Sequence, residues 1–324
     1  MSSAAPSTFV ESPTDAPAAS PAGAHVPLLV GLLFGLTGLG SSSAAIVLPV
    51  LGDDLGVSIG IGAWGISLYA LMLAVATAVY GRVSDLVGQR LPLLVGVSLM
   101  SVGALAGALA PNFDMLLGAL HDAGAGAAAV PTIGVAIVTA RFSGAARGVA
   151  LGQVAGVAAA VSCLGPLAGG TLEGLFGWRV VIALPVLGAL IFPLLWRWIP
   201  TNGSGARLDL FGAVLVAATA AGVVLLVQSP STGSSVAVAG AVLALLGIPS
   251  VIAWVRRRPH GFLPAEVIRN PVVVRSALAA GAVPAAWFAL LIAVPAVLVG
   301  HGWEPWQVGV ALIPSAVTGS PRPA

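Results

Sequence analysis

The stretch GRVSDLVGQR, residues 81–90, separates two long apolar runs of the chain. The runs, residues 62–80 and 91–110, contain no charged side chain. Each is about as long as the ~20 residues that a helix needs to cross a bilayer. A polar link this short predicts that the two runs form antiparallel neighbouring helices, and the glycines at positions 81 and 88 would let the turn tighten.

The composition of the whole chain agrees with a membrane environment. Hydrophobic residues make up 58% of the 324 residues and charged residues only 7%, too few to keep the surface of a soluble protein wet. The 42 glycines suit the close helix packing of membrane bundles. The apolar segments have helix length and lack the short alternating pattern of barrel strands. The predicted fold class is therefore all-α, as a polytopic membrane protein.

Nine segments are long enough to span a membrane. They are residues 26–50, 62–80, 91–110, 115–140, 148–172, 180–196, 210–227, 236–255 and 276–299. A tenth apolar stretch, residues 306–318, is too short to cross the ~30 Å hydrocarbon core by itself. Residues 1–24 are rich in Ala, Ser and Pro and predict a disordered tail, without the basic segment of a cleaved signal peptide.

The arginines predict the orientation of the chain. Loops after the even-numbered spans carry eleven arginines, whereas the loops on the other side carry Arg179 alone. Positive charge favours the cytoplasmic side, so the amino terminus and the even-numbered loops are expected there. The eleven are Arg82, Arg90, Arg141, Arg147, Arg197, Arg207, Arg256, Arg257, Arg258, Arg269 and Arg275.

The charged stretch also matches the pattern G-x-x-x-D-x-x-G-x-R, through Gly81, Asp85, Gly88 and Arg90. This pattern resembles the loop signature of the major facilitator superfamily, a family of membrane transporters, where it joins the second and third helices. It falls at the same place here. The resemblance implies that Asp85 and Arg90 latch the cytoplasmic side through contacts that reach a second helical bundle.

A second motif lies in the fifth span, where Gly156 precedes the run Gly165-Pro166-Leu167-Ala168-Gly169-Gly170. The run resembles the G-P-x-x-G-G element that the superfamily's antiporters carry in their fifth helix. Proline bends a helix, and adjacent glycines let a neighbouring helix slide past. By itself the motif is equally compatible with a packing kink. Together with the loop signature it favours the family interpretation.

The entry to the seventh span, LDLFGA at residues 208–213, looks like the entry to the two extra central helices of the fourteen-helix drug:proton antiporter branch. The alternative is a twelve-helix member of the family. The basic stretch from Arg256 to Arg275 follows the eighth span, whereas a twelve-helix member would place its long basic linker after the sixth. The fourteen-helix frame is therefore preferred.

The resemblance implies four parts. They are a disordered cytoplasmic tail (residues 1–25), a complete six-helix bundle of two inverted three-helix repeats (26–198), two central helices (199–258) and an incomplete carboxyl-terminal bundle (259–324). A fourteen-helix member would continue for several more helices, so the chain is expected to be truncated at its carboxyl terminus.

Two usual charges of the family are absent. Antiporters commonly carry R-x-x-Q-G-x-G in the fourth helix; the glycines match Gly124 and Gly126, but the arginine falls on Leu120 and the glutamine on Ala123. Drug exporters of this branch often have an acid in the first helix at the position of Gly40. These departures argue against proton coupling through the family's usual groups.

His121 and Asp122 form the only ionisable pair inside a predicted span. Asp122 lies roughly 12 Å along the fourth helix at a rise of 1.5 Å per residue. A charge at that depth is costly and should face the bundle interior or water, so Asp122 is a candidate proton carrier with His121 beside it. Neighbouring helical positions point about 100° apart, so the two side chains need not touch. The alternative is that both are solvated near the outer headgroups and idle.

The resemblance implies an integral, multi-pass protein of the plasma membrane that exports small organic compounds or drugs, amphipathic or cationic, by proton antiport. The alternative is a truncated, non-transporting remnant or a membrane interaction subunit. No cofactor, nucleic-acid partner or enzymatic activity is expected. The chain has no lysine for a phosphate-binding loop, its four histidines are far apart in sequence, and its lone Cys163 excludes an internal disulfide.

Overall fold

The computed structural model describes residues 25–203, 209–258, 261–262, 265, 269–279, 282, 297–298, 301 and 303. Within these ranges all regular secondary structure is helical. The helices are α1 (Val26–Asp54), α2 (Ile59–Val87), α3 (Arg90–Ala108), α4 (Phe113–Ala127), α5 (Ala129–Arg141), α6 (Gly144–Cys163), α7 (Gly165–Phe176), α8 (Trp178–Ala183), α9 (Gly188–Leu195), α10 (Leu210–Thr232) and α11 (Ser234–Arg257), with 3-10 turns at Leu184–Leu187 and Trp196–Trp198.

The predicted all-α, polytopic class is confirmed. In the described part of the chain, seven helical stretches are long and apolar enough to cross a membrane. The first three predicted spans are single helices, whereas the fourth, fifth and sixth are each made of two or more helical pieces. The eighth is α11, and the seventh is α10, whose apolar part, Phe211–Leu226, is shorter. The ninth predicted span, the short tenth stretch and the amino-terminal tail lie largely or wholly outside the described residues.

The charged stretch between α2 and α3 is more helical than its sequence suggests. α2 continues to Val87, so the link consists of Gly88 and Gln89 alone. The expectation that Gly81 belongs to the turn is therefore wrong. Residues 81–87 carry two charges and one glycine, which costs a helix interior only about 1 kcal/mol, and α2 ends only where Gly88 takes a φ of +87°. A Cβ on Gly81 would lie 3.6 Å from the methyl group of Thr132, so this glycine faces α5 from within α2.

Spans one to three and spans four to six form two triplets, and the first helix of each triplet packs against helices of the other. α1, which opens the first triplet, packs against α6, α7, α8 and α9, which form spans five and six. α4, which opens the second triplet, packs against α2 and α3 of the first triplet. Reciprocal packing of this kind is what two inverted three-helix repeats sharing one bundle would produce.

Span five is interrupted between α6 and α7 by Pro166. Proline has no N–H, so the carbonyl of Ser162, four residues earlier, loses its helical partner. The Ser42 hydroxyl of α1 lies 3.1 Å from this oxygen. It also lies 2.8 Å from the carbonyl of Gly38 and 3.2 Å from that of Leu39, but both carbonyls already belong to the backbone ladder of α1. The Ser162 carbonyl is the acceptor that needs the Ser42 hydroxyl proton, because lipid offers no hydrogen-bond donor.

Aspartates at opposite ends of the molecule join the ends of helices. At the end of α1, Asp54 accepts hydrogen bonds of 2.9 Å from both the Trp178 indole and the Arg179 guanidinium, which open the sixth span. The Trp178 bond, followed by the Arg179 bond, lowers the pKa of Asp54 below its usual value. The end of α1 is therefore tied to the start of span six by a charge-assisted contact.

Asp209 joins the two ends of the α10–α11 hairpin. One oxygen caps α10 by accepting from the Gly212 N–H at 3.1 Å, and the other accepts from the Trp254 indole at 2.8 Å and the Phe262 N–H at 3.2 Å. Burial alone would raise the pKa of Asp209, but these three donors and the Arg258 charge lower it. The hairpin then packs on the bundle through α10 and α2.

The first prediction concerns orientation. Ser58 and Ser143 are exposed in links at opposite ends of the bundle. With the buried Cys163 replaced, a cysteine at position 58 should react with a membrane-impermeant maleimide from outside the cell, and a cysteine at position 143 only after the membrane is permeabilised. The reverse pattern would overturn the arginine-based orientation.

The second prediction concerns the break in span five. Ser42→Ala should lower the free energy of unfolding in detergent by about 1 kcal/mol, because the Ser162 carbonyl loses its donor. Pro166→Ala restores a backbone N–H, so Ser42→Ala should cost less in that background. A matched control is Ser250→Ala, whose hydroxyl bonds only within its own helix, to Leu246. Equal losses with and without Pro166 would contradict the assigned hydrogen bond.

Candidate functional site

The loop signature docks onto the chain that leaves span six. The N–H of Gln89 donates to the Pro200 carbonyl at 3.2 Å. A Cβ on Gly88 would collide with the carbonyl of Thr201, and its positive φ independently favours glycine. The second glycine of the signature is thus required for a close backbone contact inside the first bundle.

Two arginines hold the turn that ends span six. Arg90 donates to the Ile199 carbonyl at 3.4 Å, and its guanidinium lies 4.6 Å from the centre of the Trp196 ring. Arg141, at the end of α5, donates to the Trp198 carbonyl at 2.8 Å and lies 5.1 Å from that indole. Such cation–π contacts stabilise by roughly 0.5–1 kcal/mol each at exposed sites. The sequence indicated the arginines, but not their tryptophan partners.

Asp85 is separated from this contact. It is exposed on α2, and no ion pair joins it to any residue that the structure describes. The four signature residues therefore divide into Gly88 and Arg90, which dock on the end of span six, Gly81, which lies within α2, and Asp85, which faces outward. The structure does not bring Asp85 and Arg90 together.

The antiporter-like motif of span five contacts α1 through part of its length. A Cβ on Gly165 would collide with the Ser42 hydroxyl, and one on Gly169 would lie 3.0 Å from the Cα of Ser43. The Ser43 hydroxyl donates to the Gly165 carbonyl at 2.7 Å. Pro166 is buried and Gly170 is half-buried, whereas Gly156 lies on an exposed face. The proline end of the motif thus binds a serine run of α1 that the sequence analysis did not single out.

A cavity of about 50 Å³ lies between α1, α2, α3, α4 and the break in span six. Its lining is largely apolar, and Ser41 and Tyr69 supply the polar side chains. Gly40 and Leu120, at the positions where the family pattern has charged residues, both line it. The two positions that lack the charged residues of the family pattern are thus far apart in the sequence but border the same cavity.

The polar side chains of the cavity belong to two neighbouring helices. Ser41 Oγ donates to the Thr37 carbonyl of its own helix, α1, at 3.0 Å. Tyr69 lies on α2 and brings to the same cavity a phenolic hydroxyl, which can donate or accept a hydrogen bond.

His121 and Asp122 lie beside the cavity but do not line it. Their side chains touch, with 3.0 Å between His121 Nδ1 and Asp122 Oδ1. In the described chain they are 45% and 56% exposed, on the face of α4 that also carries exposed Met115 and Gly118. The neighbouring residues Leu120 and Ala123 face the cavity instead. The Asp122 carboxylate thus lies on an exposed face of α4 and not in the cavity.

Two relatives among curated proteins are named for multidrug resistance and for antibiotic export. The chain is 33% identical over 199 residues to the multidrug resistance protein Stp of Mycobacterium tuberculosis, a match that covers 58% of this chain and 37% of Stp. It is 30% identical over 305 residues to the cephamycin export protein CmcT of Amycolatopsis lactamdurans, covering 86% of this chain and 59% of CmcT. The matched region therefore spans less than two thirds of either relative.

A solved structure supports the fold. The crystal structure of the peptide transporter POT in complex with sulfate aligns with a TM-score of 0.53 at 15% identity, over 72% of this chain and 51% of that one. The family model of the Major Facilitator Superfamily matches residues 30–322. That range includes the loop signature, the broken fifth span, the cavity and both central helices. With reciprocal packing of two helix triplets and a family match over most of its length, the chain belongs to the Major Facilitator Superfamily.

Proposed function

We propose that the protein is a secondary active transporter that exports small organic compounds and uses protons as the coupling ion. The observation that carries this proposal is the largely apolar cavity at the centre of a superfamily-type bundle. Apolar pockets with a few placed polar groups are the usual form of small-molecule sites. The names of Stp and CmcT, for multidrug resistance and cephamycin export, support the direction and the substrate class.

We propose that the protein lies in the plasma membrane with its amino terminus in the cytoplasm. The arginine contacts of Arg90 and Arg141 gather at one end of the bundle, and the Asp54 contact with Arg179 lies at the other. This distribution fits the positive-inside rule. Residues 26–198 would form the amino-terminal bundle and residues 199–258 the central pair. Residues 259–324 would begin a second bundle against which the first one rocks.

The uncharged cavity favours a second candidate function. Gly40 and Leu120 leave it without the acid and the arginine of the family pattern. A membrane protein that binds a partner or ligand without pumping needs neither group. Gradient-driven export of ethidium or of hydrophobic antibiotics from proteoliposomes, by a version extended to the length of the relatives, separates the two candidates. Export supports the transporter, and its absence with intact folding supports the interaction protein.

The third prediction concerns the exposed acid of the loop signature. Asp85→Asn in the extended version should slow export severalfold while changing substrate affinity little, because Asp85 is proposed to hold a gate and lies far from the cavity. The measurement is initial export rate against substrate concentration. Asp53→Asn, which removes an exposed acid at the other end of α1 and α2, is the control. Export at the unmodified rate would refute a gating role for Asp85.

The fourth prediction concerns coupling. Asp122, in contact with His121, is proposed to take up and release the coupled proton. Asp122→Asn should abolish uphill export driven by a pH gradient, because the amide cannot carry a proton. Downhill substrate exchange should continue, since it needs no net proton movement. Asp114→Asn, in the first turn of the same helix, should leave both activities intact. Gradient-driven export that survives Asp122→Asn would place coupling elsewhere.

A further inference from the structure

We propose that the end of α11 binds an anionic phospholipid through the guanidinium groups of Arg256 and Arg257, with an acyl chain of the lipid along the exposed face of the helix. The site lies on the α10–α11 hairpin, outside the candidate transport site, and it does not depend on transport. The group that the arginines recognise is a phosphate. The occupant is a phosphate that carries acyl chains.

The three consecutive arginines at the end of α11 divide into two kinds. The backbone N–H of Arg258 donates to the Trp254 carbonyl at 2.8 Å, and its guanidinium lies 5.2 Å from the centre of the Trp254 ring. That indole in turn donates to Asp209. The side chains of Arg256 and Arg257 are exposed, and no hydrogen bond or ion pair joins them to a residue that the structure describes. Arg258 therefore holds the hairpin together, whereas the other two face its surroundings.

Arginines of the first bundle differ from this pair. Arg90, Arg141 and Arg147 each donate to a backbone carbonyl, and the first two also lie against indole rings. Part of their donor capacity is therefore used within the protein. Arg256 and Arg257 keep all their donors for a ligand, and the planar guanidinium matches the oxygens of a phosphate.

The face of α11 that leads to Arg256 is apolar and uncovered. Leu245 and Ile252 lie within about 40° of Arg256 around the helix axis, at 100° per residue. They are 73% and 48% exposed. Gly240 and Gly247, through which α11 packs closely on α10, lie on the opposite side of the helix. An apolar stripe thus runs along α11 and ends at an arginine.

The stripe has the length of one lipid leaflet. At a rise of 1.5 Å per residue, Leu245 and Arg256 are about 16 Å apart along the helix, roughly half of the ~30 Å hydrocarbon core. A lipid whose acyl chain lies along Leu245 and Ile252 therefore brings its phosphate to the level of Arg256. A soluble phosphate would meet the arginines but would gain nothing from the stripe.

The surplus of positive charge selects the headgroup. Residues 256–279 contain five arginines and a single acid, Glu266. A zwitterionic lipid brings its own cation to this surface, whereas an anionic lipid brings none. In the proposed orientation the arginines lie at the cytoplasmic leaflet, whose anionic lipids attract arginines close to the membrane surface. Charge and apolar length together therefore favour an anionic phospholipid.

The test is a lipid titration of the purified, delipidated 324-residue chain in detergent, read by native mass spectrometry. The probes are phosphatidylglycerol and phosphatidylcholine with the same palmitoyl and oleoyl chains. The first phosphatidylglycerol should bind roughly 25-fold more tightly than the first phosphatidylcholine, because each of the two arginines contributes about fivefold. Glycerol 3-phosphate, which has the phosphate without the chains, should not displace it.

Variants locate the lipid. Arg256→Gln combined with Arg257→Gln should bring the affinity for phosphatidylglycerol down to that for phosphatidylcholine. Arg147→Gln combined with Arg197→Gln removes the same charge from exposed positions elsewhere and should change the affinity less than twofold. Arg258→Gln should also change it less than twofold, because that guanidinium is held on an indole. Circular dichroism and thermal melting confirm that each variant is folded.

A photoactivatable phosphatidylglycerol maps the acyl chain without any substitution. With a diazirine in the middle of one chain, it should attach to α11 between Leu245 and Arg256, as read by peptide mass spectrometry. Phosphatidylcholine with the same diazirine should label this stretch more weakly. Native mass spectrometry of the same samples also counts the copies of the chain that travel together.

Several results would overturn the lipid site. Equal affinities for the two lipids, or an unchanged preference in the folded double variant of Arg256 and Arg257, would remove the role of the arginines. Displacement by glycerol 3-phosphate would show a site for soluble anions. Labelling confined to other helices would place the lipid elsewhere, and a dimer that takes up no phosphatidylglycerol would assign the face to a second copy of the chain. The wild-type comparison needs no variant, so a misfolded variant cannot rescue the idea.

Discussion

The hydrocarbon core of a bilayer offers no hydrogen-bond partner, so a carbonyl that a proline frees must be satisfied within the protein. In this chain Pro166 frees the carbonyl of Ser162, and Ser42 of α1 supplies the donor. The adjacent Ser43 donates to the Gly165 carbonyl, while Ser41, one residue before Ser42, lines the cavity. One run of three serines thus joins span one to span five and borders the candidate site.

Bilayer thickness made most of the fold predictable from sequence, because a helix of known rise must cross a known distance. The all-α class and the early spans follow from this constraint. The link at residues 81–87 was predicted wrongly because its charges and Gly81 were taken as signs of a turn, whereas one glycine costs a helix only about 1 kcal/mol and α2 continues to Val87. The pieces within spans four, five and six depend on neighbouring helices, which no local pattern records.

The candidate site was predictable only in part. The sequence identified Gly40 and Leu120 as missing charges, but they are distant in the chain, and only packing shows that both line one cavity with Tyr69. Helix geometry left open whether His121 and Asp122 touch, and the structure shows that their side chains meet at 3.0 Å. The arginines indicated orientation by charge. Their stacking on Trp196 and Trp198 depends on how span six ends.

The hydrogen bond between Ser42 and Ser162 joins residues that are 120 positions apart in the chain. During synthesis the first helix leaves the ribosome long before the fifth, and its serines can then donate to carbonyls of their own helix. The fifth helix, in turn, enters with an unsatisfied carbonyl at the point where it bends. Lipid offers the freed Ser162 carbonyl no donor, whereas α1 does. The bend of span five is therefore more stable against span one in the assembled bundle than alone in lipid.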